Sequence, residues 1–236
     1  MRWRSRLIKK NDSQIDQVNP ALVKVLLVDD HPLLRMGLKE VLEESGIITV
    51  CGEASNANEA MTLINKDQPD VVVSDITIDG HVNGIDLVKS IRERFPEIIS
   101  IILSMHHEAF YIERSIKAGA RGYVTKNEAP LKLIDAIKSA MNGELYLNGD
   151  VSKQILDSML QRNVKPSAVS TDNLSDREFE IFQMIGTGYS IKEIAKKLNL
   201  SIYTIESHKR NIKTKLNISK SPDLIKHAIQ WTINQD

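Results

Sequence analysis

The sequence contains one cysteine, Cys51, among its 236 residues. A single thiol excludes an intramolecular disulfide and a zinc site built from cysteines, and such sparse cysteine is typical of proteins from a reducing compartment. Cys51 lies in an apolar stretch, so we expect it to be a buried structural residue. The composition therefore favours a cytoplasmic protein that is stabilised by packing.

The sequence also lacks a long hydrophobic run. Its longest apolar stretch, residues 98–105, is eight residues long and is interrupted by Ser100, whereas a membrane-spanning helix needs roughly 20 residues. Residues 1–10 carry five basic side chains, but a polar segment follows where a secretory signal needs an apolar one. We expect no membrane partner, and we interpret residues 1–21 as a disordered basic arm.

The overall charge is zero, because 31 Lys and Arg balance 31 Asp and Glu, but the two signs are segregated. Residues 22–142 carry 13 basic and 18 acidic side chains, whereas residues 174–236 carry 10 basic and 7 acidic ones. A basic tail favours a polyanionic partner, although this margin alone is a weak signal. The length predicts two domains, since one domain usually has about 100 to 150 residues.

Residues 22–142 alternate short apolar runs with helical patterns, five times in succession. The runs VKVLLV, VVVS and IISIIL are nearly continuous in Val, Ile and Leu, which indicates strands buried on both faces. Amphipathic segments such as LKLIDAIKSAM separate these runs. The pattern predicts a doubly wound α/β domain with a five-stranded parallel sheet of the flavodoxin-like kind.

The remainder of the chain is predicted to be helical. We interpret residues 143–173 as a linker with one helix, SKQILDSML, followed by a polar stretch around Pro166. In residues 174–236, two capping boxes and a further serine mark helix starts, and a last helix begins at a Ser-Pro pair, which predicts a four-helix domain. The start signals are Ser175 with Glu178, Ser190 with Glu193, Ser201, and Ser221 with Pro222. The last helix is expected to bury Leu224, Ile225, Ala228 and Ile229.

Polar residues stand at the ends of the predicted strands. Asp29 and Asp30 follow the first strand, Asp75 ends the third, Ser104 the fourth and Lys126 the fifth. The carboxyl ends of parallel strands form the edge where α/β folds bind ligands, so these side chains are expected to converge. Clustered carboxylates repel one another unless a hard cation is present, and Mg²⁺ prefers such oxygen ligands.

This set of residues predicts phosphoryl transfer. Asp75 is the candidate nucleophile, and Mg²⁺ with Lys126 stabilises charge on the phosphoryl oxygens in an in-line displacement. The product is an acyl phosphate, which Ser104 can contact while Tyr123 fills the space behind it. A lone Asp at a strand end often only caps the next helix, and Asp30 could do only that. The five positions together favour the functional interpretation.

Two long segments resemble known families. The motifs LLVDDHPLLRMGL, VVVSD, IILSMH and AGARGYVTK resemble the receiver domain of two-component response regulators of the NarL/FixJ subfamily, over residues 22–142. Residues 174–236 are similar to the LuxR-type helix-turn-helix domain. The resemblance implies that Asp75 is the phospho-acceptor. The implied Mg²⁺ ligands are Asp29, Asp30, Asp75 and the backbone carbonyl of Thr77. The implied switch residues are Ser104, Tyr123 and Lys126.

The resemblance also implies a function. The chain is expected to be a DNA-binding transcriptional response regulator that receives its phosphoryl group from a sensor histidine kinase and binds double-stranded DNA as a homodimer. We expect no enzyme in the ordinary sense, because the only reactions are the Mg²⁺-dependent phosphorylation and dephosphorylation of Asp75. Our hypothesis is that the unphosphorylated receiver masks the dimerising surface of the last helix and that phosphorylation releases it.

The second helix of a helix-turn-helix motif lies in the major groove of DNA, and here that helix starts after Ser201. Ile205, Ile212 and Leu216 are expected to face the core. Arg210 is the best candidate for a guanine contact and Glu206 for a cytosine contact, whereas the lysines suit phosphates. The outward residues are Glu206, Ser207, Lys209, Arg210, Asn211 and Lys213.

The loop after Asp75 departs from the receiver pattern. It has Asp79 where the family usually has proline, and its glycine, Gly84, comes one residue late. We expect altered loop rigidity or an altered dephosphorylation rate. Two other functions stay open: an aspartyl phosphatase, although Thr77 stands where such enzymes place a second acid, and a scaffold whose receiver only dimerises.

Overall fold

The computed structural model describes residues 22–78, 82–105, 109–147, 149, 152–153, 171 and 173–233. The predicted N-terminal arm, Asp79 and most of the predicted linker helix lie outside the described residues. None of the helices within these ranges is long and apolar enough to cross a membrane.

The first domain is a parallel sheet with helices on both faces, which confirms the flavodoxin-like architecture. Its strands have the order β2-β1-β3-β4-β5-β6, and every neighbouring pair is parallel. The strands are β1 (Val23–Val28), β2 (Ile48–Ala54), β3 (Val71–Asp75), β4 (Ile99–Ser104), β5 (Gly122–Thr125) and β6 (Tyr146–Leu147). The helices are α1 (Pro32–Glu44), α2 (Ala57–Asp67), α3 (Gly84–Arg94), α4 (Ala109–Ala118) and α5 (Ala129–Met141).

The expectation of five strands was wrong, because the described residues contain a sixth. The short strand β6 pairs with β5 through Gly122 and Tyr146. Two residues are too few to give a periodic apolar pattern, so sequence reasoning missed this strand. The expectation for Cys51 was also wrong: the thiol is half-buried, because β2 is an edge strand of the sheet.

The central strand β3 explains how the sheet is built. All five of its residues are buried, since α1 and α5 cover one face of the sheet and α2, α3 and α4 cover the other. Val73 contributes to one core and Val72 to the other, as alternation along a strand requires. Asp75 is thereby fixed at the end of a strand whose residues are all buried.

The second domain is helical, as predicted. Its helices are α6 (Asp176–Gly186), α7 (Ile191–Lys197), α8 (Ile202–Lys215) and α9 (Ser221–Ile233). Both predicted capping boxes are confirmed, with each serine side chain accepting from the backbone of the glutamate three residues later. Ser201 likewise caps α8 by accepting from the backbone N–H of Thr204. The turn between α7 and α8 contains Asn199 in the left-handed conformation, with φ of 50°.

The expected burial of α9 was only half correct. Leu224 and Ala228 are fully buried, but Ile225 is 44% exposed and Ile229 is 41% exposed. The buried stripe is narrow because α9 packs mainly against one helix, α6. Together with Ile233, the two exposed isoleucines form an apolar stripe at a spacing of four residues.

The two domains are in contact. The ring of Phe110, on α4 of the first domain, lies 5.1 Å from the ring of Phe179 and 5.3 Å from the ring of Trp231. The guanidinium of Arg114, also on α4, lies 4.2 Å from the ring centre of Phe179. This domain interface therefore joins α4 to α6 and α9.

Candidate functional site

The strand ends bring the predicted carboxylates and lysine together. The Lys126 ammonium lies 2.7 Å from an Asp75 oxygen and 2.7 Å from an Asp29 oxygen. Potential ligand atoms of Asp29, Asp30, His31 and Asp75 all lie within 4.8 Å of one another. We call these five residues the acidic pocket.

The sheet order places the residues of the acidic pocket. Strands β1 and β3 are neighbours, so Asp29 and Asp30 emerge beside Asp75. Asp75 is level with Leu103 on β4, which puts Ser104 one residue further along. The backbone N–H of Lys126 donates to the carbonyl of Ser104 over 2.8 Å, and this bond fixes the start of the lysine side chain.

Burial controls the charge of Asp75. The side chain is almost fully buried, which raises the pKa of Asp75 from 3.8 to about 6; nearby Asp29 adds to the rise, and Lys126 opposes it. Ionising Asp75 therefore costs folding stability, and this cost appears as the pH rises from about 4 to about 6. Burial alone would lower the pKa of Lys126, but the two carboxylates outweigh it and raise that pKa. At neutral pH both groups are thus ionised.

His31 is a member of the acidic pocket that sequence reasoning missed. Its Nδ1 lies 3.1 Å from an Asp29 oxygen and 2.6 Å from an Asp30 oxygen, and its backbone N–H donates to Asp29. Arg35, one turn further along, donates to the backbone carbonyl of Asp29. The only available signal was that His31 directly follows the two aspartates.

The donor set of the acidic pocket fits Mg²⁺. Asp29, Asp30 and Asp75 offer carboxylate oxygens, which are the ligands this hard cation prefers. Three carboxylates face the Lys126 ammonium, so the pocket keeps an excess of negative charge that a further cation would balance. The backbone N–H of Thr77 donates to Asp75, which keeps the implied fourth ligand beside the carboxylates.

Of the three predicted switch residues, Lys126 lies in the acidic pocket and the other two are buried. Ser104 ends β4 and is fully buried. Tyr123, on β5, is fully buried and packs with Ile102 and Ile112 behind the strand ends. The ring therefore already fills space in the core, and its role in a switch remains a prediction.

Gly84 has a structural reason for lacking a side chain. A Cβ at this position would overlap the carbonyl oxygen of Asp75 and lie 2.8 Å from the carbonyl carbon. The Gly84 N–H also donates to the carbonyl of Ile76 over 2.8 Å. The first residue of α3 thus packs directly on the backbone of the candidate nucleophile, which only glycine permits.

The predicted DNA-contacting residues lie on α8. Glu206, Arg210 and Asn211 are exposed, whereas Ser207, Lys209 and Lys213 are half-buried. Of the predicted inward stripe, Ile205 and Ile212 are fully buried, whereas Leu216 is only partly buried against the same core. Sequence reasoning missed the first turn, where the side chains of Ile202 and Tyr203 are 50% and 79% exposed.

Comparison with known proteins divides the chain into the same two domains as the structure. Residues 25–138 match the family described as response regulator receiver domain, and residues 172–228 match the family described as bacterial regulatory proteins, luxR family. The oxygen regulatory protein NreC of Staphylococcus carnosus is 32% identical over 212 residues, covering 88% of this chain and 97% of that protein.

Solved structures of the response regulator RcsB are also similar. RcsB from Salmonella enterica serovar Typhimurium, bound to promoter P1flhDC in the presence of the phosphomimetic BeF₃⁻, matches with a TM-score of 0.56 and 27% identity, covering 87% of this chain and 97% of that chain. A structure of two RcsB dimers bound to two parallel DNAs matches with a TM-score of 0.55 and 26% identity, over the same shares of the two chains.

The site and the comparisons agree. An acidic pocket at the strand ends precedes a capped helix-turn-helix domain, and both families match along one chain. The protein belongs to the two-component response regulators of the NarL/FixJ type, with a receiver domain followed by a LuxR-type DNA-binding domain.

Proposed function

We propose that this chain is a transcriptional regulator of a two-component system, switched by phosphorylation of Asp75 and active on DNA as a homodimer. A sensor histidine kinase supplies the phosphoryl group. We assign the protein to the bacterial cytoplasm because its proposed partner is DNA. The observation that carries the proposal is the Lys126 ammonium, which lies 2.7 Å from both Asp75 and Asp29 at the end of the central strand.

The geometry suits nucleophilic attack by Asp75. One carboxylate oxygen attacks the phosphorus of the donor, a new oxygen–phosphorus bond forms, and the donor bond breaks. When the donor is a phosphohistidine, the electron pair of the broken bond stays on the imidazole nitrogen. The Lys126 ammonium is positioned to stabilise a phosphoryl oxygen, because it already contacts the attacking group.

Asp29, Asp30, Asp75 and the Thr77 carbonyl are the residues that would hold Mg²⁺. The ion neutralises charge on the phosphoryl oxygens when it is bound. Asp29 also contacts Lys126 through one carboxylate oxygen and the His31 ring through the other. These contacts orient the lysine and keep the carboxylates together in a buried site.

The DNA contacts are assigned to the exposed face of α8. Arg210 is exposed, and the neighbouring Glu206 pairs with Lys209, with 3.5 Å between their charged atoms. The Arg210 guanidinium can therefore make a bidentate contact to guanine. The RcsB complexes with promoter DNA support this assignment for the whole domain. Lys209 and Lys213 suit phosphate contacts on either side.

The exposed stripe on α9 supports the homodimer. Ile225, Ile229 and Ile233 form an apolar face on a helix that packs against its own domain through its opposite side. The receiver contacts the same helix through Phe110 and Trp231, while Arg210 stays exposed. The domain interface thus contacts α9 and can restrain its movement, but it leaves the DNA-reading face of α8 uncovered.

Incubation with acetyl phosphate is the direct test of the phosphoryl-transfer step. The purified chain should gain one phosphoryl group in the presence of Mg²⁺, as measured by intact mass after acid quenching. Excess chelator should reduce the initial rate at least tenfold, because three carboxylates then repel the incoming phosphoryl group. Repeated turnover of a phosphate ester without a stable adduct would instead indicate a phosphatase.

A further inference from the structure

The loop that follows the phospho-acceptor touches the DNA-binding domain. The Thr77 hydroxyl, two residues after Asp75, lies 3.3 Å from an oxygen of Glu180 on α6 and can donate to it. The backbone N–H of Thr77 donates to the Asp75 carboxylate. One residue therefore contacts the candidate nucleophile with its backbone and the other domain with its side chain.

Glu180 is held in place by its own domain. It is 5% exposed, and its second oxygen lies 2.7 Å from the guanidinium of Arg177, which is 1% exposed. Arg177 also donates to the carbonyl of Leu198, the residue that closes α7 before the turn into α8. A buried arginine is costly without its carboxylate, so Glu180 cannot leave this position freely.

These contacts form a continuous polar path. It runs from the Asp75 carboxylate through Thr77, Glu180 and Arg177 to the carbonyl of Leu198. A separate cluster holds the domains together at α3 and α4, where Asp176 pairs with Lys89 over 2.5 Å and with Arg114 over 2.7 Å. The Thr77–Glu180 bond comes from the loop that follows the phospho-acceptor. The other polar contacts described between the domains come from α3 and α4.

We propose that Thr77 couples the chemical state of Asp75 to the DNA-binding domain through its hydrogen bond to Glu180. This inference rests on the proposed phosphorylation of Asp75. Phosphorylation replaces the single negative charge of the Asp75 carboxylate by about 1.5 to 2 negative charges on the phosphoryl group, so the loop gains at most about one negative charge, and the nearby Glu180 carboxylate is repelled more strongly. The Thr77–Glu180 contact is weakened, and the domain interface opens.

The coupling can be measured through Trp231, which lies 5.3 Å from Phe110 across the domain interface. Trp3→Phe leaves Trp231 as the only tryptophan of the full chain. Acrylamide quenching of its fluorescence then reports opening during titration with beryllofluoride and Mg²⁺. We expect Thr77→Val to lower the beryllofluoride concentration that opens half the molecules by about threefold to tenfold, because closure loses one hydrogen bond to a charged group.

Two matched variants serve as controls. Thr77→Ser keeps the hydroxyl and should retain the wild-type midpoint, within about twofold. Thr62→Val makes the same chemical change at an exposed position of α2, where the hydroxyl donates to the carbonyl of Asn58 in its own helix, and should leave the midpoint unchanged. A midpoint that is equal in Thr77→Val and wild type would overturn the proposal.

A second background separates coupling from a local effect on the acidic pocket. The double variant Arg177→Met/Glu180→Met replaces both members of a buried ion pair by apolar side chains, a replacement that proteins often tolerate. In this double-variant background, Thr77→Val should cause no further shift of the beryllofluoride midpoint. A shift that persists would mean that Thr77 acts only on the acidic pocket. A wild type that is phosphorylated without a Trp231 response contradicts the coupling. A wild type that takes up no phosphoryl group contradicts the proposed function itself.

Discussion

The Asp75→Asn chain should take up no phosphoryl group from acetyl phosphate under conditions that fully label the wild type. Asparagine keeps the shape of the side chain but replaces the nucleophilic carboxylate oxygen by an amide. Lys126 and Asp29 remain 2.7 Å apart, so the rest of the acidic pocket stays assembled. Intact mass spectrometry measures the result, and a loss of more than 100-fold in rate is expected.

Asp70→Asn is the matched control for this loss. Asp70 precedes the same strand at its opposite end, and its carboxylate accepts from the backbone N–H of Lys24. The control variant should therefore be phosphorylated at the wild-type rate. Full labelling of the Asp75→Asn chain would show that the phosphoryl group is bound elsewhere, and the acidic pocket would lose its assigned role.

Gly84→Ala should damage both stability and phosphorylation. The added Cβ would lie 2.8 Å from the carbonyl carbon of Asp75 and 2.9 Å from the Ser74 hydroxyl oxygen, both of them buried. Backbone atoms cannot rotate away, so either α3 or the end of β3 must shift. We expect the free energy of unfolding of the receiver to fall by about 3 kcal/mol. The phosphorylation rate should fall at least tenfold, because Asp75 is displaced.

Gly37→Ala provides the comparison on an open surface. A Cβ at Gly37, in the interior of α1, would meet no atom within 4 Å apart from the adjoining backbone of its own helix. Alanine favours a helix there, so this variant should gain about 0.5 to 1 kcal/mol. Urea unfolding of the two variants measures the contrast, and equal stabilities would contradict the close approach of α3 to Asp75.

The strand-end residues were predictable from the sequence because topology places them. A run such as VVVSD forms a buried strand, and neighbouring parallel strands must end at one edge. Asp29, Asp75 and Lys126 could therefore be assigned to one pocket without coordinates. The capping boxes were predictable for a similar reason, since each depends on two residues only three positions apart.

The contacts between the domains could not be predicted. Thr77 and Glu180 are 103 positions apart, and neither belongs to a local pattern that would connect them. The exposure of Ile225 and Ile229 also depends on tertiary packing, because an apolar residue on a helix gives no sign of how wide the covering surface is. His31 could have been included in the pocket, had its position beside two aspartates been weighed.

The most direct test of the account compares DNA affinity with and without the phosphoryl group on the same full chain. DNA fragments are first selected from a random pool with the phosphorylated protein, and Kd is then measured at one fixed salt concentration. The phosphorylated chain should bind at least tenfold more tightly than the unphosphorylated chain, and Arg210→Ala should lose about 1 to 3 kcal/mol of binding in both states. Equal affinity of the two states, with Asp75 fully phosphorylated, would contradict the claim that this carboxylate controls DNA binding.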